Sequence, residues 1–164
     1  MEKTYSYEPI PSELNEAESQ FVLGVQGNLW TEYIKDLQYA EYMTYPRACA
    51  LAEVAWTPKT RRDWPDFVGR LRSHFRYLDA LNVHYAKSFY DIDYTIENGQ
   101  VLLSTLDKNL QIRYTTDGSE PAIPSKRFSA PLTLRRSCTL KAIACSGNKV
   151  VGKVMTLPFK AHKA

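Results

Sequence analysis

Between Tyr39 and Asn82 the apolar residues recur at helical spacing. From Pro46 to Trp56, Ala48, Leu51, Ala52 and Ala55 share one face, and Pro46 stands where a missing N–H costs least. This predicts a helix packed closely on a neighbour through small residues. A second helix is predicted to start at Asp63, a good N-cap, and to carry Phe67, Leu71, Phe75, Leu78 and Leu81 along one stripe until Asn82 ends it.

After about Asp91 the pattern changes to short strands divided by turn residues. The runs 92–96, 101–105, 111–116, 132–134, 139–144 and 150–157 are separated by Glu97-Asn98-Gly99, Asp107-Lys108-Asn109, Asp117-Gly118 and Gly147-Asn148. Such spacing fits a small antiparallel β-sandwich of fibronectin III or immunoglobulin type. A junction is expected near Tyr90 to Asp93, dividing residues 1–91 from 92–164. Ahead of the helices, the first twenty residues read as a loop or arm. Phe21-Val22-Leu23-Gly24-Val25 then suits a strand buried on both faces, as in a parallel sheet. One such strand cannot make a sheet, so the helical half reads as a piece of something larger.

Composition narrows the choice of function. The 164 residues are 44% hydrophobic, 24% charged and 12% aromatic, which suits one ordinary core or two small ones. A formal charge of +3 with scattered basic residues gives nucleic-acid binding little support. No apolar run is long enough to span a bilayer, and the start MEKTYSYEPI lacks the apolar core of a signal peptide. Cys49, Cys138 and Cys145 match no zinc spacing. On one extended strand Cys138 and Cys145 would lie roughly 23 Å apart, beyond disulfide reach, so all three read as free thiols. His74, His84 and His162 show no ligand pairing, and no phosphate loop or nucleophile motif is present, so neither a metal nor a cofactor is expected.

The candidate chemistry lies in GVQGNLWTEYI, where Trp30 stands two residues from Glu32. A sugar ring packs its C–H face on an aromatic plane, and its hydroxyls need acceptors once water is excluded. A Trp and a carboxylate supply both, although the pair alone more often describes a packed Trp beside a surface Glu. Three motifs in order, LGVQGNLWTEYI, EYMTYPRACALAEVAW and RDWPDFVGRL, resemble the end of the catalytic domain of the retaining β-N-acetylhexosaminidases of glycoside hydrolase family twenty, from about Tyr5 to Tyr85. The second half, with IRYTTDGSEP, resembles the β-sandwich appended to many of these enzymes.

The resemblance implies an α+β fragment: the last strand and helices of a (β/α)8 barrel, with Phe21–Gln26 as the eighth strand, then the sandwich. Active sites of such barrels lie at the C-terminal ends of the strands. Trp30 would wall the pocket for a terminal N-acetylhexosamine, and Glu32 would accept from its hydroxyls. The implied partners are oligosaccharides ending in that sugar, and the implied compartment is outside the cytoplasm. Family members use the substrate's acetamido group as nucleophile, assisted by an adjacent Asp-Glu pair. This sequence contains no Asp-Glu dipeptide, so it holds no expected catalytic residue and the chain alone should be inactive. Glu53, Asp91, Asp93, Asp117 and Glu120 suit structural duties better, and helix packing accounts for Trp56 and Trp64. Exposed barrel surface should favour self-association. A rival reading is a non-catalytic carbohydrate-binding or interdomain-packing module, although the sandwich half offers only Tyr94, Tyr114, Phe128 and Phe159 as aromatic platforms.

Overall fold

The computed structural model describes residues 1–160, so His162 lies outside the described residues. The chain divides into two compact units, Met1–Ala86 and Lys87–Ala164.

The first unit is helical. Two single turns, α1 (Glu2–Tyr5) and α2 (Glu16–Ser19), precede α3 (Leu37–Thr44), α4 (Arg47–Trp56) and α5 (Trp64–Ala80). Asp36 caps α3 by accepting from the Tyr39 N–H, and Asp63 caps α5 by accepting from the Asp66 N–H. The α5 stripe forms as its spacing predicts, with Phe67, Val68, Leu71, Phe75 and Leu78 buried. Leu81 departs from it. Asn82 adopts a left-handed conformation (φ 54°), and the chain leaves the helix with the Val83 N–H bonded to Leu78 O, which turns Leu81 to solvent.

Helix α4 buries Pro46, Ala50 and Val54, whereas the expected Ala52 and Ala55 are exposed. The reason is a long-range partner that periodicity does not show. Helix α1 packs on α4, and its buried Tyr5 sets its ring 4.9 Å from those of both Trp64 and Phe67. Arg62 ties the same region together. Its guanidinium donates to Val54 O, Thr57 O and Tyr7 O and pairs with Glu8, satisfying carbonyls at the end of α4 while holding the arm.

Phe21–Val25 forms no ladder, because no strand among the described residues runs beside it. Its side chains remain outside the core: Phe21 is exposed and Leu23 is 98% exposed.

The second unit is a two-sheet sandwich, as its strand spacing predicts. One sheet has the order β1-β2-β5 (Ile92–Glu97, Gln100–Thr105, Leu132–Thr133), the other β4-β3-β6-β7 (Lys126–Arg127, Gln111–Thr115, Cys138–Ser146, Lys149–Phe159). All ladder pairs are antiparallel. Asn98 and Gly99 both take positive φ, which matches the twist of the β1–β2 hairpin and fixes its register at Glu97 opposite Gln100. Alternation then buries Val101 and Leu103 against Ile112, Leu140, Ala142 and Leu157. The two-residue strand β4 carries no sequence signal of its own; Tyr114 and Arg113 of β3 recruit it.

Gly152 carries a testable constraint. Its φ is +73°, and an added Cβ would meet Tyr90 Cβ and the Tyr90 carbonyl oxygen at 2.8 Å. Gly152→Ala should therefore cost roughly 2–4 kcal/mol through left-handed strain and backbone collision. A lowered urea midpoint would show this, and an unchanged midpoint would refute it.

Candidate functional site

Trp30 and Glu32 sit where an extended stretch enters a single 3-10 turn, Thr31–Tyr33. Trp30 has extended backbone (φ −78°, ψ 117°) and is 77% exposed. Glu32 lies in the turn, also exposed, and its carboxylate accepts no hydrogen bond among the described residues. An aromatic face and a free acceptor are thus presented to solvent from one short turn.

The approach to this turn is set by Gly27. A Cβ there would lie 2.9 Å from Leu51 Cδ2, so the glycine lets the backbone run close over α4. Nearby, Gln26 donates its amide to Asn28 Oδ1 at 2.7 Å. Beyond the turn, Tyr39 and Tyr42 stack with centroids 6.0 Å apart and planes 9° apart. The Tyr33 ring lies largely in solvent at 83% exposed, whereas Tyr39 and Tyr42, each 43% exposed, are more than half covered.

Of the other carboxylates weighed in the sequence, Glu53, Asp91, Asp117 and Glu120 have structural partners, while Asp93 is exposed. Glu53 accepts two hydrogen bonds from Arg70, at 2.7 and 3.2 Å, and Asp66 accepts a third at 2.7 Å. Those bonds, Glu53's first, hold the Arg70 guanidinium above its ordinary pKa, and the same group lies 5.9 Å over the Phe67 ring. Asp91 pairs with Lys153 at 3.0 Å, and Glu120 pairs with Lys141. Asp117 closes its own turn, accepting from the Ser119 N–H and O–H. His84 faces Glu41, whose carboxylate accepts from the His84 backbone N–H at 2.7 Å.

Among the described residues no group of three His, Cys, Asp or Glu could hold a metal ion, and no helix is long and apolar enough to cross a membrane. Cys138 and Cys145 share β6 as free thiols, and burial pushes the thiols of Cys49 and Cys145 upward in pKa.

Trp64 packs in the core with Tyr5 and Phe67, whereas Trp56, expected to pack between helices, is 91% exposed. It overlooks a groove of about 450 Å³ lined by Glu53, Phe67, Arg70 and His74. A second groove, about 480 Å³, runs between Ile10, Val22–Val25 and the end of α4. Neither groove includes Trp30 or Glu32.

Comparison with known proteins bears on the family of this chain. Residues 1–59 match the family model described as glycosyl hydrolase family 20, catalytic domain. These first 59 residues carry part of a family 20 catalytic domain. Residues 101–159, within the second unit, match the Fn3-associated family. A β-hexosaminidase of Porphyromonas gingivalis is 32% identical over 147 residues, covering 86% of this chain and 19% of that protein. A β-N-acetylhexosaminidase of Cellulomonas fimi is 42% identical over 67 residues, 41% of this chain and 14% of that protein. A solved Vibrio harveyi structure, a GH20 exo β-N-acetylglucosaminidase in complex with N-acetylglucosamine, shares 39% identity over 51% of this chain and 13% of that one, with a TM-score of 0.47. The chain thus spans a fifth or less of the length of the curated relatives it matches. The resemblance read from the Trp-Thr-Glu and Ala-Glu-Val-Ala-Trp motifs is borne out, since both fall within residues 1–59.

Proposed function

We propose that this chain is the closing part of a retaining exo-β-N-acetylhexosaminidase that removes terminal GlcNAc or GalNAc from glycans outside the cytoplasm. Residues 1–91 would complete a barrel domain and residues 92–164 form the appended sandwich. The observation that carries the proposal is the exposed turn with Trp30 and Glu32, set inside the stretch that matches the family 20 catalytic domain.

The chemistry follows from the two side chains. Trp30 offers a plane on which the C–H face of the terminal sugar packs, displacing water. With water displaced, the Glu32 carboxylate accepts from ring hydroxyls through charge-assisted bonds that fix the sugar's orientation. Cleavage itself uses the substrate's acetamido oxygen as nucleophile at the anomeric carbon, while an acid protonates the leaving oxygen. The Asp-Glu pair suited to those roles is absent from this sequence, so the chain contributes binding and orientation only.

The test is release of chromophore from an aryl N-acetyl-β-glucosaminide by the purified chain. The proposal predicts no release above the buffer rate. Release that disappears in Glu32→Gln would show that the chain holds its own acid and would overturn this division of labour.

A further inference from the structure

The charge of this chain is unevenly divided. Residues 1–86 hold nine Lys and Arg against twelve Asp and Glu, whereas residues 87–164 hold twelve against six. The basic excess therefore lies in the sandwich. One part of it is a shallow, open depression of about 320 Å³ lined by Thr116, Thr133, Leu134, Arg135, Arg136 and Cys138, where the chain passes from β5 of one sheet to β6 of the other.

The guanidiniums in this pocket are uncommitted. Arg70 and Arg113 are used internally, by Glu53 and Asp66 and by Ser125 O and Gln111 respectively. Arg135 and Arg136 are exposed and have no ion-pair partner among the described residues. In the turn after β3, Asp117 accepts from Ser119, and Glu120 pairs with Lys141. Leu134 packs against the sandwich core and pins the base of the arginine pair. Thr133 Oγ1 already accepts from Gln100 Nε2 at 3.1 Å, which leaves its hydroxyl hydrogen able to donate into the pocket.

We propose that Arg135 and Arg136, with the hydroxyls of Thr116 and Thr133, form a binding site for an oxyanion group, a sulfate or a carboxylate, carried on an acidic glycan. Planar guanidinium N–H donors match two oxygens of such a group, and hydroxyls supply further donors. Neither arginine gives up an internal partner on binding. That the oxyanion is carried on a glycan rests on the glycosidase reading; the site's capacity for the anion does not.

Titration of the full chain with fluorescently labelled oligosaccharides tests the site without any turnover, so its failure is separable from failure of the hexosaminidase proposal. A sulfated chondroitin oligosaccharide should bind at low salt, free sulfate should compete, and a neutral chitin oligosaccharide should not bind at this site. Hyaluronan separates the two groups: binding equal to that of chondroitin assigns the carboxylate, and weaker binding assigns the sulfate. The double variant Arg135→Gln/Arg136→Gln, confirmed folded by its thermal melt, should weaken binding by about tenfold or more, as expected for loss of hydrogen bonds to a charged group. Arg127→Gln, on the same unit, should change it by less than about twofold. Absence of binding, or an equal loss in Arg127→Gln, would overturn the site.

Discussion

We expect the chain to self-associate, and replacing Phe21 and Leu23 together by lysine should leave it monomeric. Both side chains point to water from a stretch of extended backbone with no strand beside it, and Leu23 is 98% exposed. Val22, Val25 and Ile10 continue the apolar surface along the neighbouring groove. Exposed apolar patches and unpaired extended backbone both promote association, the first by area removed from water and the second by open hydrogen-bonding groups. Light scattering on the unmodified chain should give a mass that rises with concentration above 18.8 kDa. The double lysine variant should remain at 18.8 kDa over the same range. An unmodified chain that stays monomeric would contradict the view of this segment as a strand without its sheet.

Truncating Phe75 will remove most of the stability of the helical unit. Phe75 is 2% exposed on α5, and its ring stacks on Tyr85 with centroids 4.5 Å apart and planes 3° apart. Phe75→Ala deletes a fully buried ring and leaves a cavity that a rigid helix cannot close, a loss of about 3–5 kcal/mol. Small domains hold only about 5–15 kcal/mol in total, so the far-UV helical signal should melt tens of degrees lower or be absent at room temperature. Tyr77→Ala, two residues on and facing solvent, should fall within about 0.5 kcal/mol of the parent. Equal effects from the two changes would show that the stripe does not carry the unit.

These two positions also show what the sequence could reveal. Phe67, Leu71, Phe75 and Leu78 were legible because α5 buries one face and its period is its own. The Asn98-Gly99 hairpin was legible because its positive φ angles demand those residues. The buried face of α4 was not, since helix α1, in an arm without periodicity, packs on it. Nor was the fate of Phe21–Val25: a strand's structure resides in its neighbours' hydrogen bonds, and none of those neighbours runs beside it here. Trp30 and Glu32 were legible as a pair through the motifs around them. Arg62, which ties the arm to α4, showed in sequence only as half of a basic pair.

Trp30 and Glu32 are proposed to hold a terminal sugar. This is tested by a chimera in which this chain replaces the matching segment of the Porphyromonas gingivalis β-hexosaminidase, assayed with and without Glu32→Gln. Loss of a charged acceptor for the sugar hydroxyls predicts a fall in kcat/KM of about tenfold or more. An active chimera whose kcat/KM is unchanged by Glu32→Gln would contradict the assignment.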